Sequence, residues 1–272
     1  MRIRRRSAIL VAVAATALGA LGAAGAAQAN NVSTLPTWNV TPSALPGPGG
    51  TPPFANVQLN VQTHTNYTAP GNKPAGGFAK TVTLRFDDDV KLNLAGIPSC
   101  TATFGGSTTI AQAWERCGPG ADTAPEVNAY LSPPTAVSGR ASTAPASNFG
   151  GCTLVFKKSA TQLLLFARMT LVANGTPNCA NPATNSAGNT AVTLVGNLTN
   201  PTTIADYRTT LTVPNIDLQP LPLDDFSAAV KRGAAFQARC RDSNKLLNLR
   251  GTFVYSGSGE APDTVNRTKA CT

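Results

Sequence analysis

The chain has 272 residues, a formal charge of +9 and six cysteines. No Lys/Arg block with an aromatic platform accompanies the basic excess, which excludes a nucleic-acid-binding surface of the usual kind. No two cysteines stand at the close spacing of a zinc ligand pair, which excludes a structural zinc site built on thiols.

Taken in chain order, the first element is an export signal. Met1 to Arg6 carries four arginines, an apolar run follows from Ala8 to about Ala27, and Ala27-Gln28-Ala29 supplies an A-x-A cleavage site. A membrane anchor is the competing reading, set aside because Ala and Gly dominate the run. Arg4-Arg5-Arg6 also evokes a twin-arginine route, but the residues after it fit poorly, so the general secretory route is preferred. Cleavage after Ala29 removes four of the 22 basic side chains and lowers the charge from +9 to +5. A charge of that size favours solubility and a weak attraction to anionic cell-surface polymers.

Residues 30–55 are rich in proline and glycine and almost uncharged, as in Leu45-Pro-Gly-Pro-Gly-Gly50. This composition reads as an extended linker, with Trp38 and Phe54 able to tack it onto the domain that follows. From Asn56 the pattern alternates with a period of two, and residues 56–272 are expected to form one β-sandwich domain. Val57/Leu59/Val61, Val82/Leu84/Phe86, Val90/Leu92/Leu94, Leu154/Phe156, Val192/Leu194, Leu211/Val213 and Leu247/Leu249/Phe253/Tyr255 each mark a half-buried strand. Leu163-Leu164-Leu165-Phe166 is continuously apolar and predicts a central strand covered on both faces. Two helical windows stand out, Thr109–Arg116 and Asp224–Arg232, the second equally readable as a strand over Phe226–Val230. Turn-rich stretches at 71–77, 174–177 and 181–189 separate the strands. The expected class is all-β, a sandwich of immunoglobulin-like or jelly-roll-like type.

Cys100, Cys117, Cys152, Cys179, Cys240 and Cys271 all follow the signal, and an even count in an exported chain predicts disulfides. Pairing between sequence neighbours, 100 with 117, 152 with 179 and 240 with 271, is the expected arrangement among the connectivities that six cysteines leave open.

Ile97-Pro98-Ser99-Cys100 with Ala102-Thr103-Phe104, Leu163–Phe166, Tyr207 to Ile216, Leu221–Phe226, Arg239-Cys240 and Leu249–Tyr255 together resemble a group of uncharacterised exported, cysteine-containing, β-rich proteins of actinobacteria. The likeness covers roughly Val82 to Cys271 and rests mostly on strand and turn residues. It implies an extracellular β-rich fold and no established activity. In that group a cysteine near the C-terminus follows the same pattern, which suits Cys240 with Cys271. Cys152 and Cys179 have no counterpart there and pair by exclusion.

Candidate chemistry is sparse, and no catalytic residue is assigned. The single histidine, His64, has no G-x-S-x-G or S-x-x-K partner and reads as a strand-end residue. Asp87-Asp88-Asp89 and Asp224-Asp225 are first of all turn formers. They are also the candidate ligands of a calcium ion, the one possible cofactor, or the carboxylates of a glycoside hydrolase. Trp38, Trp114 and Tyr130 are the candidate aromatics for stacking on sugar rings, set against use in the core. The proline-punctuated segment 211–223 reads as an edge strand running into an arm that could pair with a partner. The leading expectation is a secreted or cell-wall-associated, non-catalytic module that meets polysaccharide or another protein, with no membrane span once the signal is removed. A carbohydrate-binding module with a calcium-supported loop is the alternative, and a hydrolase using both acidic clusters is the third reading.

Overall fold

The computed structural model describes residues 31–47, 52–66, 78–118, 127–132, 148–172, 190–200, 206–217, 225–230, 233, 235–241, 246–257 and 260–271. Residues 1–29, where the export signal is expected, Cys179, Asp224, residues 218–223 and the turn-rich stretches at 71–77, 174–177 and 181–189 lie outside them.

The fold is all-β and sandwich-like, as the alternation predicts. In chain order the strands are β1 (Val32–Thr41), β2 (Ala55–Asn56), β3 (Gln58–Asn66), β4 (Ala79–Asp87) and β5 (Val90–Leu92). A 3-10 turn, Leu94–Gly96, and the helix α1 (Ile110–Cys117) come next. Then follow β6 (Val127–Ser132), β7 (Asn148–Ser159), β8 (Gln162–Val172), β9 (Thr190–Thr199) and β10 (Tyr207–Pro214). The last are β11 (Asp225–Val230), β12 (Phe236–Ala238), β13 (Leu246–Tyr255) and β14 (Asp263–Ala270). Eleven strands form one antiparallel sheet in the order β1-β3-β11-β6-β7-β8-β9-β10-β4-β13-β14, and β2-β12-β5 make a small second sheet.

The large sheet folds over until its two end strands meet. β1 and β14 share no backbone ladder; side chains of the β14 end satisfy the backbone of β1 instead. Asn31 N donates to Glu260 (2.8 Å), Ser33 N to Asp263 Oδ2 (2.7 Å), and Arg267 Nε donates to Leu35 O (2.7 Å). An open edge would be a template for pairing with another chain, and these bonds cover it on both sides. Inside, Leu35, Trp38 and Val40 of β1 share one core with Leu59, Val61, Phe86, Leu165, Leu247, Leu249 and Phe253.

β8 is covered on both faces, as its continuous apolar run requires. Leu163 and Leu165 join the main core, while Leu164 and Phe166 pack with Leu154 and Phe156 beneath α1. The helix starts where its sequence dictates: Thr109 Oγ1 accepts from Gln112 N (3.1 Å) and the Gln112 side chain accepts from Thr109 N (2.9 Å), a reciprocal capping box. Ile110, Ala113 and Trp114 face the strands, and the disulfide Cys100–Cys117 fastens the end of the helix. A second disulfide, Cys240–Cys271, ties the segment after β12 to the end of β14. Cys152 lies on β7, and its expected partner Cys179 is outside the described residues.

Two expectations are corrected, and one open reading is settled. Residues 30–55 are not simply a linker, because Val32–Thr41 is a strand whose Leu35, Trp38 and Val40 are core residues. Pro36 is tolerated there since it falls in the register shift between Thr34 and Thr37 on a strand that ends the sheet. The window Asp224–Arg232 resolves as strand β11, paired on both sides with β3 and β6. The segment from Leu211 is not an edge, for β10 runs between β9 and β4, with Leu211 opposite Leu198 on one side and Leu84 on the other.

Candidate functional site

The three consecutive aspartates do form the turn from β4 to β5, but two of them are buried, Asp87 and Asp89 being 1% exposed. Burial is possible because protein donors saturate them. Arg239 Nε donates to Asp89 Oδ1 (2.8 Å) and Arg241 N to Asp89 Oδ2 (2.6 Å), while the Arg241 guanidinium pairs with Asp88 Oδ2. Asp89 N reaches Asp87 Oδ1 (2.9 Å), and Asn248 binds Asp87 Oδ2 through its backbone N (2.8 Å) and Nδ2 (2.9 Å). Five of the six carboxylate oxygens thus accept hydrogen bonds from the protein. Calcium needs about six to eight oxygen ligands, and the oxygens clustered here are committed to N–H donors. Burial pushes the Asp87 carboxyl up to about 7, outweighing the amides that favour its charged form. Phe54 closes the arrangement beneath Arg239, whose guanidinium carbon is 4.5 Å from the ring centroid. This knot holds the turn to the chain after β12; it is structural.

The register also separates the two acidic clusters. Asp225 pairs with His64 near the end of β3, and Asn66 on that strand lies opposite Val32. Ser33 Oγ meets Tyr255 Oη at 2.6 Å, and Tyr255 pairs with Ala79 at the start of β4. Asp87 is at the other end of β4, so the clusters occupy opposite ends of the strands, a separation of about 25 Å at ~3.3 Å per residue. A glycosidase needs its two carboxyls within about 5–10 Å, which removes the pairing of Asp87, Asp88 or Asp89 with Asp225. Of the candidate aromatics, Trp38 is a core residue donating to Leu247 O (3.1 Å), and Trp114 is buried against Phe156 with centroids 6.0 Å apart. Neither can stack on a ligand. Tyr130 lies on β6, its backbone opposite Ser227 and Cys152. His64 lies on β3 with its backbone opposite Thr34 and Asp225.

A different place gathers unspent polar groups. Where β5 ends, the 3-10 turn, the β7–β8 turn and the ends of β9 and β10 line a half-open cavity of about 350 Å³. Its polar lining is Asn93, Lys157, Thr161, Asn200 and Thr209, with Leu94 and Leu198 among the apolar walls. The walls are held by backbone bonds: Asn93 N to Ala235 O (2.8 Å), Leu198 N to Thr161 O (2.8 Å) and Lys157 N to Pro98 O (2.8 Å). Asn93 Oδ1 is spent on Ala95 N (3.1 Å), and Thr209 Oγ1 donates to Asn200 Oδ1 (3.3 Å). That hydrogen bond sets the Asn200 amide and leaves its Nδ2 as a donor, and Lys157 lines the same cavity. None of the described lining residues is acidic, and no described carboxylate pairs with Lys157. A cavity of this size holds one sugar ring or a compact acid, and it offers cationic and amide donors to an oxygen-rich guest.

None of these five polar residues stands out in the sequence, because Asn and Thr are plentiful and each lies at the end of a separate strand or turn. Only the pairing of β7, β8, β9 and β10 brings them together. No protein-family model matches the chain, and neither a curated protein nor a solved structure is similar to it.

Proposed function

We infer that this chain is an exported binding module of the cell envelope, acting without turnover, whose cavity takes a carboxylated monosaccharide unit. Two disulfides support folding in an oxidising compartment, and the basic, apolar and A-x-A segments of residues 1–29 supply the route out. None of the helices among the described residues is long and apolar enough to cross a membrane.

The observation that carries the reading is the composition of the cavity. Lys157 and Asn200 line a half-open cleft whose described lining has no carboxylate. An ammonium paired with no described carboxylate favours a negatively charged guest, and the hydroxyls of Thr161 and Thr209 with the amide of Asn200 suit a hydroxylated one. Leu94 and Leu198 give an apolar wall for the ring face. The carbohydrate-binding alternative therefore merges with the interaction-module reading, without its calcium loop.

The test is an array of neutral and acidic mono- and disaccharides, too short to lie across the sheet, probed with the protein and with Lys157→Ala. Hits confined to glycans carrying a uronate or similar acidic sugar, lost in the variant, support the reading. An empty array, or hits indifferent to Lys157, overturns it.

A further inference from the structure

The outer face of the sheet across β9, β10, β4, β13 and β14 carries two straight rows of polar side chains. Pairing places Thr264, Thr252, Thr83, Thr212 and Asn197 in one row, each opposite the next. Their hydroxyls touch, Thr83 with Thr212 at 3.3 Å and Thr252 with Thr264 at 3.5 Å. The parallel row, one strand pleat along, is Asn266, Arg250, Arg85, Thr210 and Thr199. The neighbours of these residues along each strand, Leu84, Phe86, Leu249 and Phe253, point into the core, so both rows face away from it, with Thr210 the buried member of the second row.

In the second row two arginines stand directly opposite one another, Arg85 on β4 and Arg250 on β13. Like charges at directly paired positions repel. Sheets ordinarily relieve this with an acid at the next paired position, but here those positions are Thr210 and Asn266. No described carboxylate pairs with either guanidinium. Arg250 Nε is steadied by Asn266 Oδ1 (2.9 Å) and its guanidinium lies 5.3 Å from the Tyr207 ring centroid. Arg85 Nε is buried and donates to no acceptor among the described residues. The nearest acid along β4, Asp87, has both oxygens committed to Asp89 and Asn248.

We propose that Arg85 and Arg250 form an anion clamp on this face, and that the flat surface around them docks an acidic polysaccharide chain. Guanidiniums on directly paired residues supply N–H forks whose geometry matches a carboxylate. Rows of threonine hydroxyls beside them match the hydroxyls of a sugar chain laid across the strands. A bound anion between the two charges removes their repulsion, so the positions that are costly in isolation become favourable in the complex. The chemistry of the face argues against the other polyanions: Val254, 39% exposed, is its one large exposed apolar side chain among the described residues, too little to enter a lipid surface, and the face carries no run of aromatics on which bases could stack. The inference is independent of the cavity beside Lys157, whose variants leave these rows intact.

The probe is polygalacturonate, with dextran as its neutral counterpart, and binding is read by calorimetry at 50 mM and 300 mM salt. The protein is expected to bind polygalacturonate with an affinity that falls at least tenfold between the two salts, the interaction being screened within about 10 Å at 0.1 M. Arg85→Gln and Arg250→Gln each weaken it about tenfold, and the double variant abolishes it. Lys157→Ala retains polymer binding, and the double variant retains the array hits assigned to the cavity, which separates this proposal from that one. Arg85→Gln alone, relieved of repulsion, melts at or above the parent temperature in low salt. Should the double variant fail to fold, amide shifts of the parent protein decide, with Thr83, Thr210 and Thr252 moving on polymer addition. Unaltered polymer binding in the double variant overturns the proposal, as do equal binding of dextran and no binding at 50 mM salt. Tighter binding to duplex DNA or to phosphatidylglycerol vesicles also overturns it, by assigning the clamp to a different polyanion.

Discussion

Arg239 Nε lies 2.8 Å from Asp89 Oδ1, with the two side chains 9% and 2% exposed, so an ion pair between residues 150 apart in sequence is sealed inside the protein. The backbone repeats the contact, Arg239 N donating to Asp89 O at 3.0 Å. Together these bonds join the small sheet to the end of β4, and they explain why consecutive aspartates can leave water.

Removing one partner strands the other charge. Arg239→Ala or Asp89→Ala should each cost about 3–5 kcal/mol of unfolding free energy, read by urea titration. The pair Arg239→Met with Asp89→Leu should cost less than the sum of the single changes. Additive effects in that cycle would show that the two residues do not act as a unit.

Asp87 gives the protein a pH-dependent stability of definite sign. Its folded value of about 7 lies above the ordinary value of 3.8, so the native state holds the proton through that window when the unfolded chain has released it. Stability should therefore fall as pH rises from about 4 to 7 and level off above, by an amount on the order of 2–4 kcal/mol. Urea midpoints measured at pH 5 and pH 8 check this; Asp87→Asn should flatten the slope. A midpoint that rises over the same interval contradicts the assignment.

Strand β1 belongs to the core. Leu35→Ala, at a fully buried position against Gly251, should cost about 2–5 kcal/mol, with a matching drop in melting temperature. A linker residue would cost almost nothing.

That contrast shows what could be read from the residues. Where a strand half-faces the core, its alternation is written into it: Leu59 and Val61 lie on β3 and Leu247 to Tyr255 on β13. The apolar run of β8 announced its two covered faces, and Thr109 announced α1. β1 was obscured because Pro36 and the prolines after it mimic a linker, when the proline simply occupies a bulge. β14 was obscured because its residues Asp263–Ala270 are mostly polar, an edge strand whose side chains serve the backbone of β1. The interior position of β10, the Asp89–Arg239 pair and the cavity beside Lys157 all depend on which distant strands pair. No local pattern encodes that, so the same residues read as an edge, a solvated turn and scattered polar positions.

The Cys240–Cys271 disulfide closes a 31-residue segment containing β13 and β14. Replacing both cysteines with serine should lower stability by about 3 kcal/mol. Because β14 supplies the cover for β1, the loss should also raise amide exchange at Ser33 and Leu35. Exchange there unchanged by the double substitution would separate the disulfide from the seam.

The most direct test of the functional account is a titration of the ¹⁵N-labelled protein with galacturonate, followed by amide shifts. Saturable movement confined to Asn93, Lys157, Thr161, Asn200 and Thr209, absent with neutral galactose and lost in Lys157→Ala, is the predicted result. Shifts that avoid those five residues, or a spectrum that galacturonate leaves untouched, would contradict it.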